Sequence, residues 1–131
     1  MESTSQELLG LRVNIDKVLH HFDENFPPET PHAFVYFITI SNVSQETVRL
    51  LGRKWILQHP RTGEVEVVEG DGIVGQTPSL PPGESFTYNS YHLTGDTVIA
   101  SGAFHGVTAD GKRIFVRIPS FKMTPPGPPP S

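Results

Sequence analysis

The stretch from Val48 to Ser90 constrains the fold of this chain more than any other part of it. It reads VRLLGRKWILQHPRTGEVEVVEGDGIVGQTPSLPPGESFTYNS. Apolar runs of strand length alternate with glycine and proline, the punctuation of short strands joined by tight turns. At its centre, Gly70-Asp71-Gly72-Ile73-Val74-Gly75 formally matches the G-x-G-x-x-G phosphate-binding pattern. The segment therefore poses a question: does this loop hold a phosphate, or does it only turn the chain?

The flanking sequence is punctuated in the same way. Leu11 to Leu19 alternates through Leu11, Val13 and Ile15, the period of a half-buried strand. Ala33 to Asn42 is apolar at nearly every position and rich in β-branched and aromatic residues, which predicts a central strand buried on both sides. Val48 to His59 predicts a strand with Trp55 and Leu57 on one face, and Pro60 to Gly63 a hairpin turn. Glu64 to Glu69 then pairs back with Val65 and Val67 inward. Further strands are expected at Gly83–Tyr88, Thr97–Val107 and, after the Asp110-Gly111 hairpin signal, Arg113–Pro119 with Ile114, Val116 and Ile118 buried. About seven short strands without a convincing helical stretch point to an all-β sandwich in one domain. Residues 1–10 are expected to be a flexible N-terminus, 11–123 the domain, and 124–131 a proline-rich disordered tail.

A chain of 131 residues is the size of one ordinary domain and can bury a core without metal or disulfide. The net charge of −4 argues against a nucleic-acid partner, because phosphate neutralisation needs a basic face. The absence of cysteine excludes disulfides, zinc thiolates and cysteine nucleophiles. The N-terminus is polar and acidic, unlike a secretory signal, and no apolar run approaches the ~20 residues that span a bilayer. The expected location is cytoplasmic, with no membrane association.

Several motifs together carry a family resemblance: Arg53-Lys54-Trp55-Ile56, Gly63 to Val68, Gly70 to Gly75, Pro78, Leu80 to Tyr88, then Gly102, Gly106, Gly111 and Ile118-Pro119-Ser120-Phe121. Over about Val13 to Phe121 the chain resembles the bacterial ApaG family, the DUF525 domain. The resemblance implies an immunoglobulin-like or fibronectin type III-like β-sandwich, in agreement with the strand pattern. It implies an association with cobalt and magnesium efflux on genetic grounds, and a protein-binding role from eukaryotic relatives that carry the same domain. The chain departs from the family at Lys54, where histidine is common, at Phe104, where tyrosine is common, and across Tyr91–Ala100.

A dinucleotide-binding G-x-G-x-x-G turn joins a strand to a helix, whose N-terminus supplies N–H groups and a favourable dipole. Here Gln76-Thr77-Pro78-Ser79-Leu80-Pro81-Pro82 leaves no room for that helix, and Glu69 and Asp71 add negative charge. A weaker version is an anion nest of backbone N–H groups at Gly70, Gly72 and Gly75 with Arg53 or Lys54 projecting over it to offset the two acids. The competing reading is that the three glycines supply positive φ or close backbone approach.

The six histidines (His20, His21, His32, His59, His92, His105) form no metal-ligand spacing, so no metal site is assigned. No nucleophile elbow is present, and the Glu64/Glu66 pair reads as solvated strand face, so no catalytic residue is assigned and no cofactor is expected. Trp55 is expected to anchor the core and Tyr91 to lie at the surface. The leading expectation is a non-enzymatic protein-interaction module with a protein partner and a family tie to divalent-cation homeostasis. The alternative is a phosphate-, pyrophosphate- or nucleotide-binding protein that uses Gly70, Gly72, Gly75 and Arg53. Pairing of edge strands into a homodimer is also open.

Overall fold

The structure, a computed structural model, describes residues 4–127. Its strands are β1 (Gln6–Glu7), β2 (Leu11–Phe22), β3 (His32–Asn42), β4 (Val48–Gln58), β5 (Val65–Asp71), β6 (Ser79–Leu80), β7 (Ser85–Thr94), β8 (Val98–Thr108) and β9 (Arg113–Met123). The expected strands correspond to β2, β3, β4, β5, β7, β8 and β9, while the two-residue β1 and β6 are additions. A three-stranded sheet, β2-β3-β7, packs on a larger sheet in the order β1-β9-β8-β4-β5, with β6 also paired to β4. This is the all-β sandwich that the alternation predicts. Among the described residues no helix is long and apolar enough to cross a membrane.

Within the stretch 1–10 that was expected to be flexible, Gln6–Glu7 pairs in parallel with Ile114 and Phe115 of β9. The Leu8 N–H continues the ladder to the Phe115 carbonyl at 3.0 Å. Of the tail expected at 124–131, the last four residues lie outside the described ones, and 124–127 carry no regular structure.

Three irregularities in the ladders decide which side chains face inward. In β2 the register shifts between Ile15 and Lys17, so inward positions change from Val13 and Ile15 to Val18, His20 and Phe22. In β4 it shifts at Leu51: Val48 and Leu50 face the core before it, and Arg53, Trp55 and Leu57 after it. In β9 two residues, Pro119 and Ser120, stand opposite one residue of β8, and the inward set changes from Ile114, Val116 and Ile118 to Phe121 and Met123. A bulge adds one residue to one strand and so exchanges its two faces. Proline is tolerated at such a point because the local ladder bond is already broken.

The core between the sheets centres on Trp55. Its ring lies 5.2 Å from that of Tyr36 and edge-on to those of His92 (5.4 Å), Phe104 (6.4 Å) and Phe121 (6.1 Å). Edge-to-face and tilted arrangements at these separations are the favourable ones for aromatic quadrupoles. Ile38, Ile40, Val48, Leu50, Ala100, Phe104 and Met123 have no exposed surface at all.

Two expectations about burial are corrected. Val65 and Val67 do not face the core: they are 59% and 53% exposed. The hairpin pairs Gln58 with Val65, which sets Glu66 opposite Leu57 and Val68 opposite Trp55 and turns Val65 and Val67 to the other face. Nor is β3 buried on both sides: Phe34, Tyr36, Ile38 and Ile40 are buried, but Val35, Phe37 and Thr39 on the opposite face are only half-buried. Nothing within the described residues covers that outer face.

Close strand packing places a steric demand on Gly102. Its φ is +151°, and a Cβ there would collide with the Lys54 carbonyl of the neighbouring strand. Gly102→Ala is expected to destabilise the domain by about 2–4 kcal/mol, measured by urea unfolding. A second prediction concerns acid. Burial holds the His92 imidazole below its ordinary value of 6.5, with Glu66 opposing, and burial and the neighbouring His32 and His21 lower His20. The unfolded chain therefore binds protons first as pH falls. The stability contributed by these neutral imidazoles is complete above about pH 6.5 and is lost as pH falls toward the folded-state values. The urea midpoint should drop between pH 7.5 and 5, and His92→Gln should flatten that drop.

Candidate functional site

The glycine motif is built as a hairpin of its own. The Ile73 N–H donates to the Gln76 carbonyl at 2.8 Å, and the Gln76 N–H donates back to the Ile73 carbonyl at 3.0 Å. Val74 and Gly75 between them both have positive φ, +46° and +79°. A two-residue loop with positive φ at both positions is the type I′ geometry that matches strand twist. Gly75 suits it. Val74 does not, because a β-branched residue in the left-handed region is crowded against its own carbonyl.

The sequence-designated residues are brought together. Arg53 projects over the loop and its guanidinium lies against Gly70, where a Cβ would sit 2.6 Å from Nη1. Nη1 donates to the carbonyls of Asp71 (2.9 Å) and Gly72 (3.1 Å). Among the loop's own N–H groups, that of Gly72 is bound to the Leu51 carbonyl at 2.6 Å, and those of Ile73 and Gln76 close the hairpin. Toward Arg53 the loop thus presents carbonyl oxygens, and its backbone bonds largely serve the turn.

Behind the loop, between the sheets, lies a cleft of about 200 Å³ lined by Tyr36, Arg53, Trp55, Ile73, Tyr88 and Ser90, with Asp71, Val74 and Gly75 at its rim. Sequence reasoning missed it, because β3, β4 and β7 contribute from distant parts of the chain. Tyr88 is only 8% exposed, and its hydroxyl has no hydrogen-bond partner among the described residues. An unmet buried hydroxyl costs ~1–3 kcal/mol. Burial pushes the Tyr88 phenol far up, Tyr36 adds to the rise, and the positive Arg53 opposes it. Burial also raises the Tyr36 phenol, with Ser90 as a hydrogen-bonding neighbour and Arg53 both opposing. Both phenols thus feel the same guanidinium.

The other distinctive surface is the outer face of the three-stranded sheet. Register aligns Leu19 of β2, Val35 of β3 and Tyr91 of β7 in one row. Neighbouring rows are Lys17–Phe37–Asn89 and His21–Ala33–Leu93. Tyr91 is 60% and Leu19 43% exposed, and Lys17 Nζ sits 5.6 Å from the centre of the Phe37 ring. The corresponding face of the larger sheet carries ion pairs instead, Lys54–Glu69 at 3.4 Å and Arg117–Glu7 at 3.4 Å.

The histidines are dispersed, apart from His20 Nε2 and His32 Nδ1, which lie 2.9 Å apart. Among the described residues no group of three or more His, Asp or Glu is placed to hold a metal ion. Trp55 is in the core and Tyr91 at the surface, as expected.

The strain at Val74 yields a test. Val74→Asn, a residue that tolerates the left-handed region, should stabilise the domain by about 1 kcal/mol and raise Tm by a few degrees. A scanning calorimetry trace with Tm unchanged or lowered would count against the hairpin geometry.

Residues 23–108 match the ApaG domain, DUF525. Protein ApaG of Pseudomonas putida is 35% identical over 118 residues, covering 88% of this chain and 93% of its own. Protein ApaG of Xanthobacter autotrophicus is 37% identical over 101 residues, covering 76% of this chain and 77% of its own. Among solved structures, an ApaA protein from Bordetella pertussis superposes with a TM-score of 0.78 at 27% identity, covering 94% of this chain and 98% of that one. An X-ray structure from a structural genomics programme gives 0.78 at 29% identity, covering 90% and 89%. With its strand pattern, sandwich and glycine motif matched along most of its length, the chain belongs to the ApaG family.

Proposed function

We propose that the domain is a non-enzymatic protein-interaction module that docks a protein partner on the outer face of its three-stranded sheet. One observation carries this reading: β3 is apolar on both faces, and the described residues cover only one of them. The row Leu19–Val35–Tyr91, with Phe37 beside it, leaves apolar and aromatic surface in water. Contiguous patches of this kind mark association surfaces, and an exposed tyrosine backed by aliphatic neighbours has the character of an interface anchor. In this reading the family's tie to cobalt and magnesium homeostasis runs through the partner, and the protein works in the cytoplasm.

The loop supports the alternative less well. An anion nest needs N–H groups converging on one point. Those of Gly72 and Ile73 are bonded within the protein, and Arg53 Nη1 is directed at carbonyl oxygens.

The test is a paired substitution. Leu19→Glu with Tyr91→Glu places two charges on the outer face without touching the core. Partners captured by the unmodified domain from its own cells are purified and titrated against both forms. The affinity for a genuine partner should fall at least ~10-fold, or about 1.4 kcal/mol, while Arg53→Gln leaves it unchanged. Equal affinities would remove this face as the docking surface. Loss of a self-association seen by ultracentrifugation would instead identify the partner as a second copy of the chain.

A further inference from the structure

We propose that the cleft between the sheets, beneath the 73–76 hairpin, binds a small organic carboxylate, with Arg53 as the counter-ion and the hydroxyls of Tyr36, Tyr88 and Ser90 as the surrounding hydrogen-bonding groups. The site is separate from the outer sheet face and does not depend on it.

Arg53 is the first indication. It belongs to the inward set of β4: its cross-strand neighbours are Gly70 on β5 and the fully buried Phe104 on β8. Arg53 is half-buried there, and a carboxylate would satisfy its partly desolvated guanidinium. Among the described residues Arg53 makes no ion pair, although Lys54 beside it pairs with Glu69 and Arg49 reaches the Thr77 hydroxyl. Among the described residues only Nη1 is bound, to two neutral carbonyls, which leaves Nη2 and Nε for the paired contact that a carboxylate makes best.

Tyr88 is the second, independent indication. Tyr88 lines the same cleft, and its buried hydroxyl finds no partner among the described residues. A buried polar group without a partner calls for an explanation, and an occupant of the cleft supplies one. Tyr36 and Ser90 lie on the same inner faces, paired across β3 and β7. The donors therefore come from both sheets and surround one small space.

Size and charge narrow the class of ligand. About 200 Å³ is below the usual range for a nucleotide or drug-sized molecule. Val74 offers carbon at the rim, while Trp55 and Ile73 behind it are almost wholly buried, so the space suits at most a short alkyl tail. Asp71 at the rim disfavours a second negative charge, so a monocarboxylate fits better than phosphate or pyrophosphate.

The experiment is an amide NMR titration of the ¹⁵N-labelled full chain with acetate, propionate and butyrate, with inorganic phosphate and chloride as controls at matched ionic strength. The result expected is saturable shifts at Ser90, Gly72, Val74 and the Trp55 indole, with Kd on the order of millimolar for so few ligand atoms. Arg53→Gln should weaken binding at least ~10-fold. Arg53 also ties down the loop, so Tyr88→Phe provides a second variant. It should keep or raise Tm by removing the unmet hydroxyl, yet bind the carboxylate several-fold more weakly. Three results would overturn the proposal: a flat carboxylate titration, equal binding by Tyr88→Phe, or a response to phosphate alone.

Discussion

A single extra residue in β4 decides the interior of this domain. Before Leu51 the even-numbered side chains face inward, and after it the odd-numbered ones do. That exchange takes Trp55 into the space between the sheets, where it meets aromatic side chains from β3, β7, β8 and β9. It also turns Arg53 inward, over Gly70, where it ties the glycine hairpin to the sheet. At this break in the register with β8, the Leu51 carbonyl receives the Gly72 N–H. Core, loop anchor and cleft all follow from that bulge.

Much of the architecture was legible in the residues. Apolar runs broken by glycine and proline placed the strands, and Asp110-Gly111 and Pro60–Gly63 placed the hairpins. What escaped was the facing of side chains. Alternation predicts a face only while the register is unbroken, and the bulges near Asp16, Leu51 and Pro119 are not announced by composition. Val65 and Val67 were misplaced for a related reason: the hairpin register, rather than hydrophobicity, chose Glu66 and Val68 for the inner face. β3 reads as buried twice over because an apolar strand does not reveal whether both of its faces are covered.

The glycine motif shows how a pattern can be met for reasons other than its usual one. Gly70 leaves room for a guanidinium, and Gly75 occupies a turn position that favours glycine. Spacing alone could not separate this use from phosphate binding. The cleft beside it was harder still to foresee. Tyr36, Arg53, Tyr88 and Ser90 meet only because two sheets stack, and no local pattern encodes that meeting.

The short parallel strand at the N-terminus has a practical meaning. Gln6 and Glu7 lie along Ile114 and Phe115, and Glu7 also reaches Arg117. They occupy a stretch of β9 rim whose backbone groups would otherwise stand open to any passing strand. A protease that trims the chain just before Leu8 would leave the core untouched and the spectroscopic signature of the fold nearly unchanged. It would also strip the guard from that rim, and a preparation lost to slow clumping on storage would owe its fate to a few missing residues.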